Sequence, residues 1–418
     1  MKHSHLRFFL PALILMALFC LVLAGCTDQN VDTPPVNEEP PKPPSEGLEF
    51  MYYGVGGDGY AVSGIGTCTD TNIVIPSTYK GLPVKAIREL AFSYCNTIET
   101  VTLPDTIQYI GTAFVGCSSL RSINLPQSLT DIDARAFAEC ESLEEIEIPS
   151  GVTVIRGGTF YTCRKLKSVT LHDGITTIED GAFENCQSLE SIRIPGKVTV
   201  IPRTAFAYCE NLKSVTLPEG LTHIDYQAFY TCDSLQTINF PSTLQSIGEL
   251  AFEECTSLDP VVLPESLITV GRRAFNACQS ATALTIPSGL TSIGSAAFCG
   301  WSRLKQLTLP ATVGTAVYGM FQGCIELEQV TIADGITSID DYAFYACEAL
   351  KSITIPKSVT HIGEFALGCA SLDDIYYAGS KAEWNSIELE PRWNDATSAQ
   401  SNSFTVHCTD GDISIDIY

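Results

Sequence analysis

Apolar residues recur in this chain with a period of 23 residues, from near residue 73 to near residue 378. In the copy at 210–232 the apolar positions are Leu212, Val215, Leu217, Leu221, Ile224, Ala228, Phe229 and Cys232. The spacing over 212–217 predicts a short strand that ends at Pro218, because proline has no N–H for a further ladder bond. A single unit of this length cannot bury eight such side chains, so the units must stack on one another. The pattern therefore predicts a repeat solenoid.

A phenylalanine marks each copy and sets the length of the array. It recurs from Phe92 to Phe344 in steps of 23 residues after a first step of 22, and Leu367 takes the thirteenth slot. We expect these rings to form a structural spine, whose central members are Phe137, Phe160, Phe183, Phe206, Phe229 and Phe252. The predicted fold class is an α/β solenoid of about thirteen units over 73–378, with a parallel concave sheet.

Charges at the start of the predicted strands alternate in sign. Four successive copies carry Glu144, Lys167, Glu190 and Lys213 at the same position. Opposite charges on neighbouring strands attract, whereas like charges repel. The alternation favours in-register parallel stacking and indicates a charge ladder rather than a ligand site.

The first 47 residues predict a lipid-anchored start. In 1–25, basic residues precede an apolar run that is short for a membrane span and ends at small residues, which is typical of a signal peptide. The ending Leu-Ala-Gly-Cys26 resembles the lipobox of bacterial lipoproteins, which implies cleavage before Cys26 and acylation of its thiol. The alternative is an uncleaved anchor with an incidental cysteine. Residues 26–47 contain six prolines and five acidic residues, so they predict an extended tether.

Both ends of the array are predicted to be capped. Residues 48–72 contain two strand-like runs around a glycine-rich turn and predict an N-terminal hairpin cap. That turn matches G-x-G-x-x-G, but a strand-like run follows it, whereas a dinucleotide site needs a helix there. Residues 379–418 leave the repeat and predict an irregular C-terminal cap. We therefore expect no cofactor.

The repeated phrase Leu-x-x-Ile-x-Ile-Pro-x-x-Val-x-x-Ile-Gly-x-x-Ala-Phe-x-x-Cys resembles the BspA-like, Treponema-type leucine-rich repeats of bacterial surface proteins. Segments 122–126 and 352–356 are typical of it. The resemblance implies a curved solenoid at the cell surface that serves adhesion to host proteins or to other bacteria, without catalytic residues. Departures are local: His172, Ala333 and Ala378 replace the strand-ending proline, and Trp301 replaces the cysteine.

The net charge and the cysteine pattern disfavour certain binding partners, disulfide bonds and metal sites. The net charge is −24, and −26 without residues 1–25, which disfavours nucleic acid and anionic headgroups. Twelve of the 17 cysteines occupy one slot of the repeat, which favours a buried thiol ladder over disulfides between neighbouring copies. The sequence has no Cys-x-x-Cys pair, so we expect no metal site. Trp301 either fills the core or turns outward as an aromatic platform.

Residues between the inward positions of the strands should form an exposed face. In the central copies the ligand-face candidates are Glu147, Thr170, Arg193, Thr216 and Asn239. Threonine also suits strands for structural reasons alone. Solenoids nevertheless bind partners over such extended faces.

We therefore expect a monomeric, non-enzymatic protein of the cell envelope. It would be lipid-anchored at Cys26, exposed at the surface, and would bind an extracellular protein or glycan. One alternative is a passive envelope scaffold. Another is a carbohydrate-active enzyme, which would need converging carboxylates where the face offers Glu145, Glu147 and Asp374.

Overall fold

The computed structural model describes residues 42–54, 57–396 and 403–415. The predicted signal peptide, Cys26 and most of the predicted tether lie outside the described residues. Pro43–Tyr418 forms one compact unit. Among the described residues, no helix has the length and apolar character needed to cross a bilayer.

Each repeat contributes two short strands. The first strands are Asn72–Val74, Thr100–Thr102, Ser122–Ile123, Glu145–Glu147, Ser168–Thr170, Ser191–Arg193, Ser214–Thr216, Thr237–Ile238, Val261–Val262, Leu284–Thr285, Gln306–Leu309, Gln329–Ile332, Ser352–Ile355 and Asp374–Tyr377. The second strands are Leu82–Ile87, Tyr109–Ile110, Asp131–Ile132, Val154–Ile155, Thr177–Ile178, Val200–Ile201, His223–Ile224, Ser246–Ile247, Thr269–Val270, Ser292–Ile293, Thr315–Ala316, Ser338–Ile339, His361–Ile362 and Glu388–Leu389. Within each set, most strands pair in parallel with the equivalent strand of the next repeat, and the pairing is interrupted at several points.

The segment that closes each repeat consists of tight turns. Two residues in left-handed conformation flank most rings of the spine, for example Thr204 (φ 49°) and Tyr208 (φ 61°) around Phe206. Left-handed residues interrupt an α-helix. Their N–H groups bond the next repeat instead, as that of Thr204 does by donating to the Tyr226 carbonyl at 3.0 Å.

The leucine-rich-repeat solenoid with parallel sheets is thus confirmed, with turns in place of the helices that the α/β class implies. In the described part of the chain, the α-helix is Lys381–Trp384 and a 3₁₀ turn spans Ala311–Val313.

The phenylalanines form a continuous stack inside the solenoid. All six central members named above are fully buried. Neighbouring rings from Phe92 to Phe344 stack with centroids 5.1–5.9 Å apart and planes within 13° of each other. The repeats therefore share one core.

The cysteine slot lies beside this stack, where its thiols bond the backbone. Cys209 Sγ lies 3.3 Å from the Phe183 carbonyl oxygen of the preceding repeat and donates to it. Burial raises the pKa of Cys209 to about 12, so the thiol stays protonated and unreactive. Trp301 takes the same slot, is fully buried, and donates from Nε1 to the Phe275 carbonyl at 2.8 Å. The buried alternative for Trp301 is confirmed.

An N-terminal hairpin pairs Glu49–Tyr53 with Gly59–Gly64 in antiparallel fashion. Gly59–Gly64 then pairs in parallel with Leu82–Ile87 and so covers the start of the second-strand sheet. Just before that strand, Thr78–Tyr79 pairs with the start of Leu82–Ile87 in antiparallel fashion.

The C-terminal cap extends both sheets. Glu388–Leu389 joins His361–Ile362, so the parallel pairing continues beyond residue 378. Phe404–Cys408 joins Asp374–Tyr377 in parallel and pairs in antiparallel fashion with Gly411–Ile415. The aromatic residues buried in this cap are Trp384, Trp393 and Phe404.

His407 ties this terminal hairpin to the last first strand. Its Nε2 lies 2.8 Å from Asp374 Oδ1 and its Nδ1 lies 3.0 Å from Asp412 Oδ1. The ring also stacks on Tyr376 at 4.9 Å. Hydrogen bonds to both carboxylates favour the imidazolium and raise the pKa of His407 above its ordinary value.

We expect the hairpin to be more stable at acidic than at alkaline pH. A raised folded-state pKa stabilises the fold fully below the unfolded pKa of about 6.5. That stabilisation is lost as pH rises through the raised pKa. Amide exchange over 404–415 should therefore speed up between pH 5.5 and pH 8.5 beyond the intrinsic chemical trend. His407→Gln should abolish this additional acceleration of exchange, whereas the control His223→Gln should retain it. If the additional acceleration persists in His407→Gln, His407 is not the group that causes it.

Candidate ligand-binding face

Along each first strand, buried residues alternate with residues whose side chains are exposed to solvent. In Ser214–Thr216 the central Val215 is buried, whereas Thr216 is exposed, because successive strand residues point to opposite sides. The same alternation holds in its neighbour Ser191–Arg193, whose Ile192 is buried. Stacking these strands brings the outward residues into rows, which we name the first-strand face.

The structure places all five predicted candidates, Glu147, Thr170, Arg193, Thr216 and Asn239, exposed on the first-strand face. Glu147 lies opposite Thr170, and Arg193 lies opposite Thr216, on neighbouring strands. The Arg193 guanidinium also reaches Asp173 at 2.8 Å in the loop of the preceding repeat. The candidates therefore lie on successive first strands, although the sheet is interrupted between the strands of Thr170 and Arg193.

Asn239 differs from the other candidates because its side chain is used by the fold. Its Oδ1 accepts from the Leu217 N–H at 2.9 Å, and its Nδ2 donates to the Leu217 carbonyl at 2.9 Å. The side-chain amide thus satisfies the backbone N–H and carbonyl of Leu217, as a neighbouring strand would. Asn124 makes the same pair of bonds to Leu103. We therefore assign Asn239 a structural role and keep the other four as face residues.

A groove opens next to Asn239, where the first-strand sheet is interrupted between Thr237–Ile238 and Val261–Val262. Its volume is about 490 Å³. The lining residues are Ser214, Val215, Thr216, Thr237, Ile238, Asn239, Phe240, Pro260 and Val262. Phe240 is half-buried and packs edge-on against Phe252 and Phe275, while Val262 is 68% exposed.

Sequence reasoning identified the face but not this groove. Two sequence features could have revealed the groove. Pro260 stands at a strand position and Val262 at an outward position, and both depart from the hydroxyl-rich pattern of the other copies. The result is an apolar depression within a polar surface.

Ion pairs border the face where the charges alternate. Lys167 Nζ lies 3.0 Å from Glu144, and Lys213 Nζ lies 2.9 Å from Glu190. The neighbouring Lys167 ammonium lowers the pKa of Glu144. These pairs are exposed, so water and salt screen the attraction strongly and each pair contributes little to stability. Their side chains are paired across repeats, as expected for a charge ladder.

The carboxylates of the face do not resemble a glycosidase pair. Glu145 and Glu147 are both exposed on one strand, whereas a general acid needs burial that keeps it protonated. Asp374 is paired with His407 at 2.8 Å in the terminal repeat. The arrangement suits binding better than hydrolysis.

The turn side of the solenoid carries a second depression of about 480 Å³. It forms where Gly158 and Gly181 take positions that carry side chains in other repeats. Arg135 lies over the Tyr161 ring at 5.5 Å within it. This depression is lined by the turn segments rather than by the first strands that line the groove.

Comparison with known proteins identifies the repeat. Residues 85–213, 176–283 and 268–387 match the family described as BspA type leucine rich repeat region, with six copies. The chain belongs to this family. No curated protein matches the sequence.

Solved structures of bacterial repeat proteins share the fold. A leucine-rich repeat protein from Bacteroides ovatus is 26% identical, with a TM-score of 0.68, and the match covers 81% of this chain and 96% of that one. A leucine rich cell surface protein from Faecalibacterium prausnitzii is 28% identical, with a TM-score of 0.50 and coverages of 84% and 98%. The pneumococcal vaccine antigen PcpA, at 19% identity, a TM-score of 0.50 and coverages of 85% and 98%, shares the fold alone.

Proposed function

We propose that this BspA-type protein binds an extracellular protein through the first-strand face, without catalysing a reaction. The observation that carries the proposal is the exposed row of outward residues with the apolar groove at its centre. Leucine-rich-repeat solenoids are protein-binding or surface modules. A stack with a shared core also holds such a face in a fixed geometry, which lowers the entropic cost of binding.

The chemistry of the face suits a protein partner. Protein interfaces combine an apolar centre with a polar rim. Here Val262, Ile238 and Phe240 form the apolar centre, and hydroxyl groups such as that of Thr216 surround it. An apolar side chain of the partner would enter the groove, while its backbone and polar groups bond the surrounding hydroxyls.

The proposed location is the cell surface, with the solenoid carried on a tether from a lipid at Cys26. The lipobox-like ending supports the anchor, and the family and the cell surface protein from Faecalibacterium prausnitzii support the envelope location. Two or more acyl chains would hold the protein stably, whereas one chain binds only marginally.

Substitution of Cys26 tests the anchor. Cys26→Ser should abolish fatty-acid incorporation, because the acylated thiol is gone, and should release the protein from membranes or leave its signal uncleaved. Metabolic labelling with a radioactive fatty acid measures this, with Cys68→Ser as the control that keeps the label. A Cys26→Ser protein that still takes up the label would contradict the anchor.

A binding array tests the function. The mature chain from residue 26 would be applied to immobilised extracellular-matrix proteins, bacterial surface proteins and glycans. We expect saturable binding to one or a few proteins. Binding only to glycans would redirect the proposal to a carbohydrate ligand. If the chain binds nothing on the array, and deletion of the solenoid leaves cell adhesion unchanged, a passive envelope scaffold would be supported.

A further inference from the structure

Three potential metal ligands converge where the solenoid meets its C-terminal cap. They are His361 on the last regular second strand, and Glu388 and Glu390 on and just after the cap strand. One donor atom from each lies within 4.8 Å of the other two. His361 Nδ1 lies 3.5 Å from Glu388 Oε2.

The sheet register creates this cluster. His361 lies directly opposite Glu388, while their neighbours Ile362 and Leu389 lie opposite each other. Ile362 is fully buried, so His361 and Glu388 point away from the core. Glu390 is two residues beyond Glu388 and therefore points to the same side.

The backbone ladder holds Glu390 beside the strand of His361. The Glu390 N–H donates to the Ile362 carbonyl, and the Gly363 N–H donates to the Ile339 carbonyl one repeat earlier. Gly363 thus holds the slot equivalent to Glu390 on the strand of His361. The preceding repeat closes that slot, because a Cβ at Gly363 would meet Asp341 Oδ1 and the backbone of Asp340 and Asp341.

The donor set suits a borderline transition metal. Imidazole nitrogen favours Zn²⁺, Ni²⁺ or Cu²⁺, whereas Mg²⁺ and Ca²⁺ prefer sites made of oxygen alone. Tetrahedral Zn²⁺ has bonds of about 2.0–2.2 Å to nitrogen and oxygen, so its ligand atoms lie roughly 3.3 Å apart. The Glu388 side chain is 74% exposed and can rotate to close the remaining distance.

We propose that His361, Glu388 and Glu390 bind one Zn²⁺ ion, with water completing the coordination, and that the ion clips the C-terminal cap to the last repeat. End repeats of a solenoid have one neighbour fewer and open first, so a link there acts on the least stable end. The carboxylates of Glu388 and Glu390, which point to the same side of the strand, also repel each other, and a divalent cation removes that repulsion. The clip is independent of the first-strand face.

His223 provides a matched control. It occupies the same strand slot as His361, six repeats earlier in the array, and is also at the surface. Its neighbours at that slot are Val200 and Ser246 rather than carboxylates. The position therefore reproduces the imidazole without the other two ligands.

Calorimetric titration of the metal-free mature chain with ZnCl₂, under reducing conditions with a non-chelating reductant, tests the site. We expect one equivalent of Zn²⁺ to bind and the melting midpoint to rise with Zn²⁺ concentration, as binding to the folded state requires. His361→Ala and the near-isosteric Glu390→Gln should each weaken binding by about tenfold or more and abolish the midpoint shift. His223→Ala should leave both unchanged, and MgCl₂ should not substitute.

The proposal is overturned if the wild-type chain binds no Zn²⁺. It is also overturned if His361→Ala and Glu390→Gln bind Zn²⁺ as the wild type does, since a cysteine or another site would then be the ligand. Equal losses in His223→Ala and His361→Ala would contradict it as well. Because Glu390→Gln preserves the shape of the side chain, a folding defect in His361→Ala would not prevent the test.

Discussion

Replacing Phe206 with alanine should lower the free energy of unfolding by about 3–5 kcal/mol, which is the cost of truncating a fully buried phenylalanine. The ring of Phe206 is fully buried. It stacks on Phe183 and on Phe229, with centroids 5.4 Å away on each side. Truncation would leave a cavity that two repeats share and cannot close, because their backbones are held by the parallel ladders. Urea denaturation of the purified mature chain measures the loss.

Phe92→Ala is the matched control at the end of the stack. Phe92 is also fully buried, but within the phenylalanine stack it meets only Phe114, at 5.2 Å. We expect a smaller loss than for Phe206→Ala, since the first repeat can open without disturbing the rest. Equal losses at the two positions would contradict a stack in which central rings are held from both sides.

Replacing Trp301 with alanine should cost a similar 3–5 kcal/mol, about the value for a buried tryptophan. The indole is fully buried and packs edge-on against Phe275 and Phe298, at 6.3 and 5.3 Å. Its Nε1 also donates to the Phe275 carbonyl, which would be left without this partner. A thermal or urea melt of Trp301→Ala checks the loss, and an unchanged curve would contradict the buried assignment.

Two further variants separate packing from hydrogen bonding at this slot. Trp301→Phe keeps most of the volume but removes the N–H donor. Trp301→Cys restores the residue that the other repeats use, whose thiol can donate to the same carbonyl, but it leaves a cavity. We expect both to be more stable than Trp301→Ala. If Trp301→Cys is no more stable than Trp301→Ala, the hydrogen bond to the Phe275 carbonyl contributes little to stability.

The solenoid could be predicted because its determinants repeat. One misread copy would not alter the period, and the phenylalanine slot recurs where the ring stack lies. The parallel register was visible in the alternation from Glu144 to Lys213, since only in-register neighbours bring these charges together. Local pattern and stacked structure carry the same information here.

The turns could not be predicted in the same way. Thr204 and Tyr208 adopt left-handed angles although neither is glycine or asparagine, the residue types that usually signal them. Their conformation is imposed by hydrogen bonds to the next repeat, such as that from the Tyr208 N–H to the Tyr230 carbonyl at 2.8 Å. A single copy of the sequence does not contain that partner.

Features at interruptions and ends of the sheets were also hidden from sequence reasoning. Asn239 occupies a face position, yet its amide is bonded to the backbone of Leu217, which only the folded register reveals. The cluster of His361 and Glu388 joins residues from a repeat and from an irregular cap, so no spacing rule finds it. Both depend on which strands become neighbours at an interruption or an end.

The most direct test of the proposed binding face compares two substitutions in one repeat. Val262 lies in the groove and is 68% exposed, and Ile268 is an apolar residue nearby in the chain that is 47% exposed but does not line the groove. Each would be changed to glutamate, and the affinity for the protein ligand found on the array would be measured by surface plasmon resonance, beside a melt of each variant. Val262→Glu should weaken binding by about tenfold or more, as a charge at an interface centre does, while Ile268→Glu binds normally and both melt like the wild type. Undiminished binding by Val262→Glu, or a loss confined to Ile268→Glu, would contradict binding through the first-strand face.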